Sequence, residues 1–417
     1  MQNTDLRSFD LTQRTIFGLL SRTLFGAAYT PEPDVDWTEV FRESECQAVR
    51  LQTFANHHLI PDIPDTLRAD IRQYIMRAML KDARIHAQHT KLHKLLTDEG
   101  ISYTILKGVS SAYYYPNVLT RAMGDVDFYI DRADVNRVVE ILRREGYTVD
   151  DYDLNLVTKY HVGMRHESTS FEMHYRFPGV PKGPVGETIL EELADIRETA
   201  VLTDTETFTC RIPTPFHHGL IMLMHLQHHL LFEGIGLRHL CDWAVFVNSF
   251  TEDEFRSIFK GRLENVGLWR FARIISLAAV LYIGLPEQGW MQESENDLYL
   301  ARDIMLDILL GGNFGVKDRQ RAFEGIFISD RGKNGVRRGR VLQAIRRINT
   351  RSRDRWPIMR KAPILLPWGW LVTAFGFLFH NCQRKKKGRE VDLFKVYRRS
   401  GERKDLYVCL RLYEPET

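Results

Sequence analysis

Asp125 and Asp127 stand one residue apart in MGDVDFYID, where acidic and apolar positions alternate. That alternation predicts a strand, and side chains at i and i+2 of a strand share a face. Two carboxylates held so close repel each other, which is costly unless a cation neutralises them. A divalent ion does this economically, and hard oxygen ligands select Mg²⁺ or Mn²⁺ over zinc. Upstream, LKGVSS carries Lys107, Gly108, Ser110 and Ser111. A glycine at a turn lets backbone approach closely, and a helix N-terminus after it favours phosphate. Lys107 would add positive charge there. A third carboxylate, Glu172 in SFEMHYRF, shares a strand face with His174 and Arg176. If its strand lies beside that of Asp125 and Asp127, three carboxylates converge. Such a trio can hold two metals, an arrangement that stabilises both the attacking and the leaving oxygen in phosphoryl-type transfer.

The elements around these residues can be read from periodicity. Residues 1–95 read as helical, with Ile71, Ile75, Met79, Leu80, Leu92 and Leu95 at helical spacing and a stop at Gly100. ISYTILKG then reads as a strand and VSSAYYYPN as a short helix or turn. Asp131 caps a helix that stops at Gly146. KYHVGMRHE and SFEMHYRF read as a hairpin joined at Ser168-Thr169. From Thr214 the chain is helical again, with apolar helices in TPFHHGLIMLMHLQHHLLFEG, LRHLCDWAVFVNSF, LWRFARIISLAAVLYIGL and LYLARDIMLDILLGG. The expected organisation is an N-terminal helical region (1–95), an α/β unit (96–213), a helical domain (214–330) and a basic C-terminal region (331–417). The expected fold class is α+β, a small mixed sheet flanked by helical domains.

Composition narrows the class. With 44% hydrophobic and 27% charged residues, the 417-residue chain is neither disordered nor collagenous. Five scattered cysteines without a CxxC pair support neither a disulfide framework nor a zinc ribbon. No second long apolar run exists, which excludes a polytopic membrane protein. The polar start MQNTDLRSFD lacks the order of a secretion signal, so a cytoplasmic location is expected. The net charge of +3 conceals an asymmetry. Arg331 to Lys404 holds 22 basic and 4 acidic residues (+18), and the rest 35 and 50 (−15). A strongly basic region points to an anionic partner: nucleic acid, acidic lipid headgroups or the acidic body itself.

The order of strand, glycine-serine turn, short helix, hDhDh and acidic strand resembles the polymerase-β-like nucleotidyltransferase superfamily. More narrowly it resembles the bacterial family of uncharacterised nucleotidyltransferases. The matching residues are Leu106-Lys107-Gly108, Arg121, Gly124-Asp125-Val126-Asp127 and Glu172-Met173-His174, then HLQHH (225–229), GIGLRHLCDW (234–243) and GGNFG (311–315). The resemblance thus covers roughly 92–315. It implies that Asp125 and Asp127 bind the catalytic metals and that Glu172 ligates a metal or acts as base toward the acceptor. It also implies that Gly108 with Ser110 or Ser111 holds the triphosphate, which Lys107 or Arg121 neutralises. The turn departs from the superfamily's Gly-Gly or Gly-Ser, since Val109 follows Gly108. The third carboxylate is Glu where Asp is commoner.

Other residues have competing readings. His225, His228 and His229 sit at helical spacing that could bind zinc, but a buried, hydrogen-bonded histidine cluster is the simpler expectation. Arg238 and Asp242 are i,i+4 and predict an intrahelical ion pair, while the resemblance lets Arg238 reach the nucleotide. Segment 362–383 is uncharged and rich in Trp and Phe between basic clusters. Pro363 and Pro367 leave it too short to span a bilayer, yet it suits peripheral contact with an anionic membrane at the inner face. The expected function is metal-dependent transfer of a nucleoside monophosphate from an NTP, ATP among them, to an acceptor that is a small molecule, RNA or protein. Two alternatives are a catalytically silent nucleotide-binding or membrane-associated scaffold and a toxin-like enzyme acting on tRNA or protein.

Overall fold

The computed structural model describes residues 9–155, 159–318, 320–325, 327–328, 340–356, 358–385 and 391–415. The chain opens with helices α1 (Leu11–Phe25), α2 (Trp37–Cys46), α3 (Arg50–Phe54) and the long α4 (Asp65–Asp98). Asp10 and Gln13 form a reciprocal capping box at the start of α1, satisfying two otherwise orphaned backbone donors. Beyond α4 the backbone turns at Gly100, which adopts φ +68, a conformation glycine reaches without steric cost.

The α/β unit comprises β1 (Tyr103–Ile105), α5 (Val109–Ala112), β2 (Val126–Ile130), α6 (Val135–Arg144), β3 (Thr148–Val149), β4 (His161–His166), β5 (Thr169–His174), α7 (Pro184–Glu192), β6 (Val201–Asp204) and β7 (Thr209–Ile212). Five strands form one sheet in the order β1-β2-β5-β4-β3, and β6-β7 make a separate hairpin. The sheet is mixed: β2 and β5 run parallel and the other neighbours antiparallel. The hairpin β4–β5 forms as its alternation predicts, but its turn is at Glu167-Ser168, one residue early, with Glu167 at φ +53. Asp131 caps the turn leading into α6 by accepting from the Ala133 N–H.

The helical remainder comprises α8 (Pro215–Phe232), α9 (Leu237–Asn248), α10 (Glu252–Asn265), α11 (Trp269–Ile283), α12 (Glu295–Gly311), α13 (Arg321–Glu324), α14 (Arg340–Arg355), α15 (Ile358–Lys361), α16 (Leu366–Lys385) and α17 (Leu393–Leu410). Two apolar cores result. One lies around the sheet and takes Ile85, Leu92 and Leu96 from α4. The other joins Phe9 to Ile71 with side chains of α8 to α12, so the N-terminal helices and the helical domain share a single core.

The basic C-terminal region is partly folded onto the body. On α17, Arg399 pairs with Asp318 (2.5 Å) and Glu324 (3.2 Å), and Arg403 pairs with Glu324 (2.9 Å). Tyr407 donates to the Leu230 carbonyl at 2.5 Å. These basic residues therefore have the acidic body as their partner. The expected boundary near Arg331 and the side chains of Phe377 and Phe379 lie outside the described residues.

Candidate active site

The parallel pairing of β2 with β5 builds the acidic centre. Its register sets Asp127 beside Glu172, and Asp125 immediately precedes β2. Oxygens of Asp125, Asp127 and Glu172 lie within 4.8 Å of one another. Asp127 is buried, with Lys107 Nζ at 3.2 Å and His174 Nε2 at 2.9 Å donating to the same oxygen. His174 Nε2 also approaches Glu172 at 3.3 Å, and His161 Nδ1 lies 3.5 Å from Glu172.

The electrostatics show an excess of negative charge. Burial opposes ionisation of Asp127, but Lys107 and His174 outweigh it and hold the carboxyl below the usual range. The hydrogen bond from His174 lowers Glu172. Burial opposes charge on His174, yet its bonds to Asp127 and Glu172 raise its pKa. Burial and the neighbouring Asp127 push Asp125 up to about 6. A converging oxygen set with more negative charge than its neighbours neutralise fits a hard divalent cation. His161, Glu172 and His174 form a second converging group, which shares Glu172.

The turn after β1 is only partly as expected. Gly108 adopts φ +69, where a side chain would be strained, and a Cβ there would meet the Asp125 carbonyl at 3.6 Å. Its helix, α5, is a single turn, too short for peptide dipoles to sum as an anion site requires. Ser110 is turned into the fold and donates to the Ile105 carbonyl at 2.9 Å. Ser111, by contrast, lines the cavity with Lys107 and Gly108.

Arg121 and Arg238 part company. Arg121 grips Asp242 with two bonds of 2.8 Å, and Tyr115 adds a third to that carboxylate at 2.7 Å. Asp242 therefore pairs across the fold instead of along α9. Arg238 lines the cavity, and its Nε has no hydrogen-bond partner. Asp82, from α4, accepts from the Met123 N–H at 3.1 Å and fixes the loop leading to Asp125.

The cavity has a volume of about 570 Å³ and runs from the carboxylates to a wall of histidines. His225 and His229 lie with ring centroids 4.3 Å apart, and His239 is 5.5 Å from His225. His225, His228 and His229 line this cavity, with their rings in contact along one face of α8. His229 bonds Glu233 at 3.1 Å, whereas both ring nitrogens of His239 lack partners. Burial drives His225 and His239 well below the ordinary imidazole range, so both are neutral. His225 and His229 join neither metal-compatible group among the described residues.

A mixed sheet that brings three carboxylates to one cavity with flanking cations is suited to transfer at phosphorus. The chain belongs to the family described as uncharacterised nucleotidyltransferase, whose model matches residues 33–284. It is accordingly an enzyme that transfers nucleotidyl groups and takes a nucleotide as substrate. The match begins well before the expected start near Leu92, taking in α2 to α4, and ends before GGNFG. No curated protein matches the chain. Sequence reasoning missed His161, Tyr115, Asp242 as the partner of Arg121, His239, Asn313 and Phe314. His239 and Asp242 fall within the GIGLRHLCDW motif and Asn313 and Phe314 within GGNFG, but only the tertiary fold brings them to the cavity.

Proposed function

We propose that the enzyme moves a nucleoside monophosphate from an NTP to an acceptor hydroxyl or phosphate, using Mg²⁺ or Mn²⁺ held by Asp125, Asp127 and Glu172. The convergence of those three carboxylates at one end of the cavity carries this reading. In the reaction the acceptor oxygen bonds to the α-phosphorus as the bond to the bridging oxygen breaks, and pyrophosphate leaves. The divalent ions would supply charge neutralisation at the entering and leaving oxygens. Lys107, Gly108, Ser111 and Arg238, which line the cavity, would hold the triphosphate. Glu172, with its carboxylate next to His161 and His174, is the residue to take the acceptor's proton. Arg121, locked on Asp242, orients the loop that carries Asp125 and presents a cation at the cavity wall. Ser110 has no role in this scheme. Thermal melting checks the binding half of the reading. Mg²⁺ or Mn²⁺ together with an NTP should raise the melting temperature by several degrees, as expected at ligand concentrations of ~100 Kd. No stabilisation at any NTP concentration would contradict it.

A membrane location is favoured by the α14–α16 hairpin. Trp370 Nε1 donates to Asn349 at 2.6 Å, joining the two helices. Ile364 (87% exposed), Trp368 (65%) and Phe375 (69%) stand in solvent, with Arg353, Arg355 and Lys361 exposed nearby in the chain. Large apolar side chains next to exposed cations match an anionic bilayer surface. No helix among the described residues is long and apolar enough to cross a membrane. The protein should co-sediment with vesicles containing phosphatidylglycerol and not with pure phosphatidylcholine. A Trp368→Ser/Phe375→Ser variant should bind at least about fivefold more weakly, having lost two interfacial anchors. Unchanged sedimentation of that variant would contradict the lipid assignment.

A further inference from the structure

The carboxylates line only part of the cavity. The loop after α12 lines it too, through Asn313 and Phe314, which Gly312 (φ +65) and Gly315 (φ +67) bracket. A Cβ on Gly315 would come within 2.6 Å of the Glu233 carbonyl, and one on Gly312 within 3.0 Å of the Cys46 carbonyl. The loop is thus packed against the body at both ends. Between these anchors Phe314 is held at φ +52, ψ +36, in the left-handed region that a bulky residue rarely enters. Such strain gathers at ligand clamps, where surrounding structure imposes it. Here it leaves Phe314 44% exposed at the cavity wall, edge-on to His229 (4.9 Å) and His239 (5.5 Å).

Two polar side chains on this side of the cavity lack partners. His239 is 5% exposed and neither of its ring nitrogens is hydrogen-bonded. Asn313 Oδ1 is buried and likewise unpaired. A buried polar group left unpaired costs free energy, so several around one cavity point to a ligand that pairs with them. Their chemistry limits that ligand. Phosphate accepts hydrogen bonds and offers almost no donors, so it suits Lys107 and Arg238 but not the Asn313 oxygen. A neutral imidazole presents one N–H and one lone pair, and an amide presents both functions. A mixed donor–acceptor edge beside an exposed aromatic ring suits a planar heterocycle.

We propose that His239, Asn313 and Phe314 form the nucleobase subsite of this enzyme, with Phe314 against the face of the base and Asn313 and His239 reading its edge. The assignment rests on the nucleotidyltransferase reading and deepens it. It places base selection on the helical side of the cavity, with Asn313 and Phe314 beyond the span of the family match and His239 within it. Arg238 lies between the two ends in the chemistry it offers, since its guanidinium suits phosphate.

Equilibrium binding of the four NTPs and of inorganic tripolyphosphate, each with Mn²⁺, tests this on the full chain. The variants are Phe314→Ala, Phe314→Gly and Asn313→Ala. Phe314→Gly also relieves the backbone strain and so guards against a folding defect. The wild type should bind its preferred NTP more tightly than tripolyphosphate. Both Phe314 variants should weaken that NTP about tenfold, the loss expected of one stacked base, and leave tripolyphosphate unchanged. Asn313→Ala should narrow the spread between the best and worst NTP. Equal weakening of NTP and tripolyphosphate would overturn the subsite. So would unchanged NTP binding with reduced transfer, which would make this end the acceptor's. Tripolyphosphate binding without gain from any base would overturn the subsite alone. Absence of all binding by the wild type would overturn the carboxylate reading along with it.

Discussion

Asp125→Asn and Asp127→Asn should each lower transfer at least about a thousandfold, and the double variant should be no worse than the poorer single one. The first figure follows from several kcal/mol of charge stabilisation at about 1.4 kcal/mol per tenfold. The second follows because residues that act as a unit are not additive. Stability should move the other way. Burial and Asp127 push Asp125 up to about 6, so the pair is under electrostatic strain without a cation. Asp125→Asn removes a repelling charge and should leave melting unchanged or slightly raised. Pyrophosphate release and calorimetry on the same preparations check both halves. Loss of activity with collapse of the fold would instead give these carboxylates a structural role.

Asp242→Ala should be among the most destabilising single changes in the chain. It would strand Arg121 and Tyr115, both buried, with a guanidinium that has lost two bonds of 2.8 Å. Breaking one side of a buried ion pair costs about 3–5 kcal/mol. For a protein of this size that is a fall in melting temperature of about 5 °C. Burial opposes charge on Asp242, but Arg121 outweighs it and holds the carboxyl below the usual range. The pair's contribution is therefore fully present at neutral pH and is lost progressively as the pH falls through and below the ordinary carboxylate range and acid protonates Asp242. Replacing both partners, as Arg121→Leu/Asp242→Leu, should restore much of the stability, because no unpaired charge remains. Transfer should not return with it, since Arg121 also presents its charge to the cavity. Full recovery of activity in that variant would confine Arg121 to a structural role.

The acidic centre was legible in its local part. Period-two alternation placed Asp125 and Asp127 on one face, and the turn before them was marked by Gly108. Glu172 could be joined only conditionally, because its place depends on the parallel pairing of β2 with β5 across 45 residues. No spacing rule sets that register. Local spacing also misled: i,i+4 suggested Arg238 with Asp242, but a bidentate partner from residue 121 wins because two bonds in a buried site outweigh an intrahelical pair. The histidines of α8 read as core because helical periodicity cannot distinguish a buried face from a cavity wall. The basic charge after Arg331 was visible, but not that Arg399 and Arg403 meet acids from α12 to α13 and the segment between them. The GGNFG loop was visible as a motif, while the exposure of Phe314 comes from anchors on Cys46 and Glu233.

The most direct measurement uses NTP labelled either at the α-phosphate or at the γ-phosphate, incubated with Mg²⁺, cell extract as a pool of acceptors, and the enzyme. The α-label should move onto an acceptor and the γ-label should appear only in pyrophosphate, with neither result seen for Asp125→Asn/Asp127→Asn. Transfer of the γ-label to an acceptor, or α-label transfer that survives the double variant, would contradict nucleotidyl transfer at this carboxylate centre.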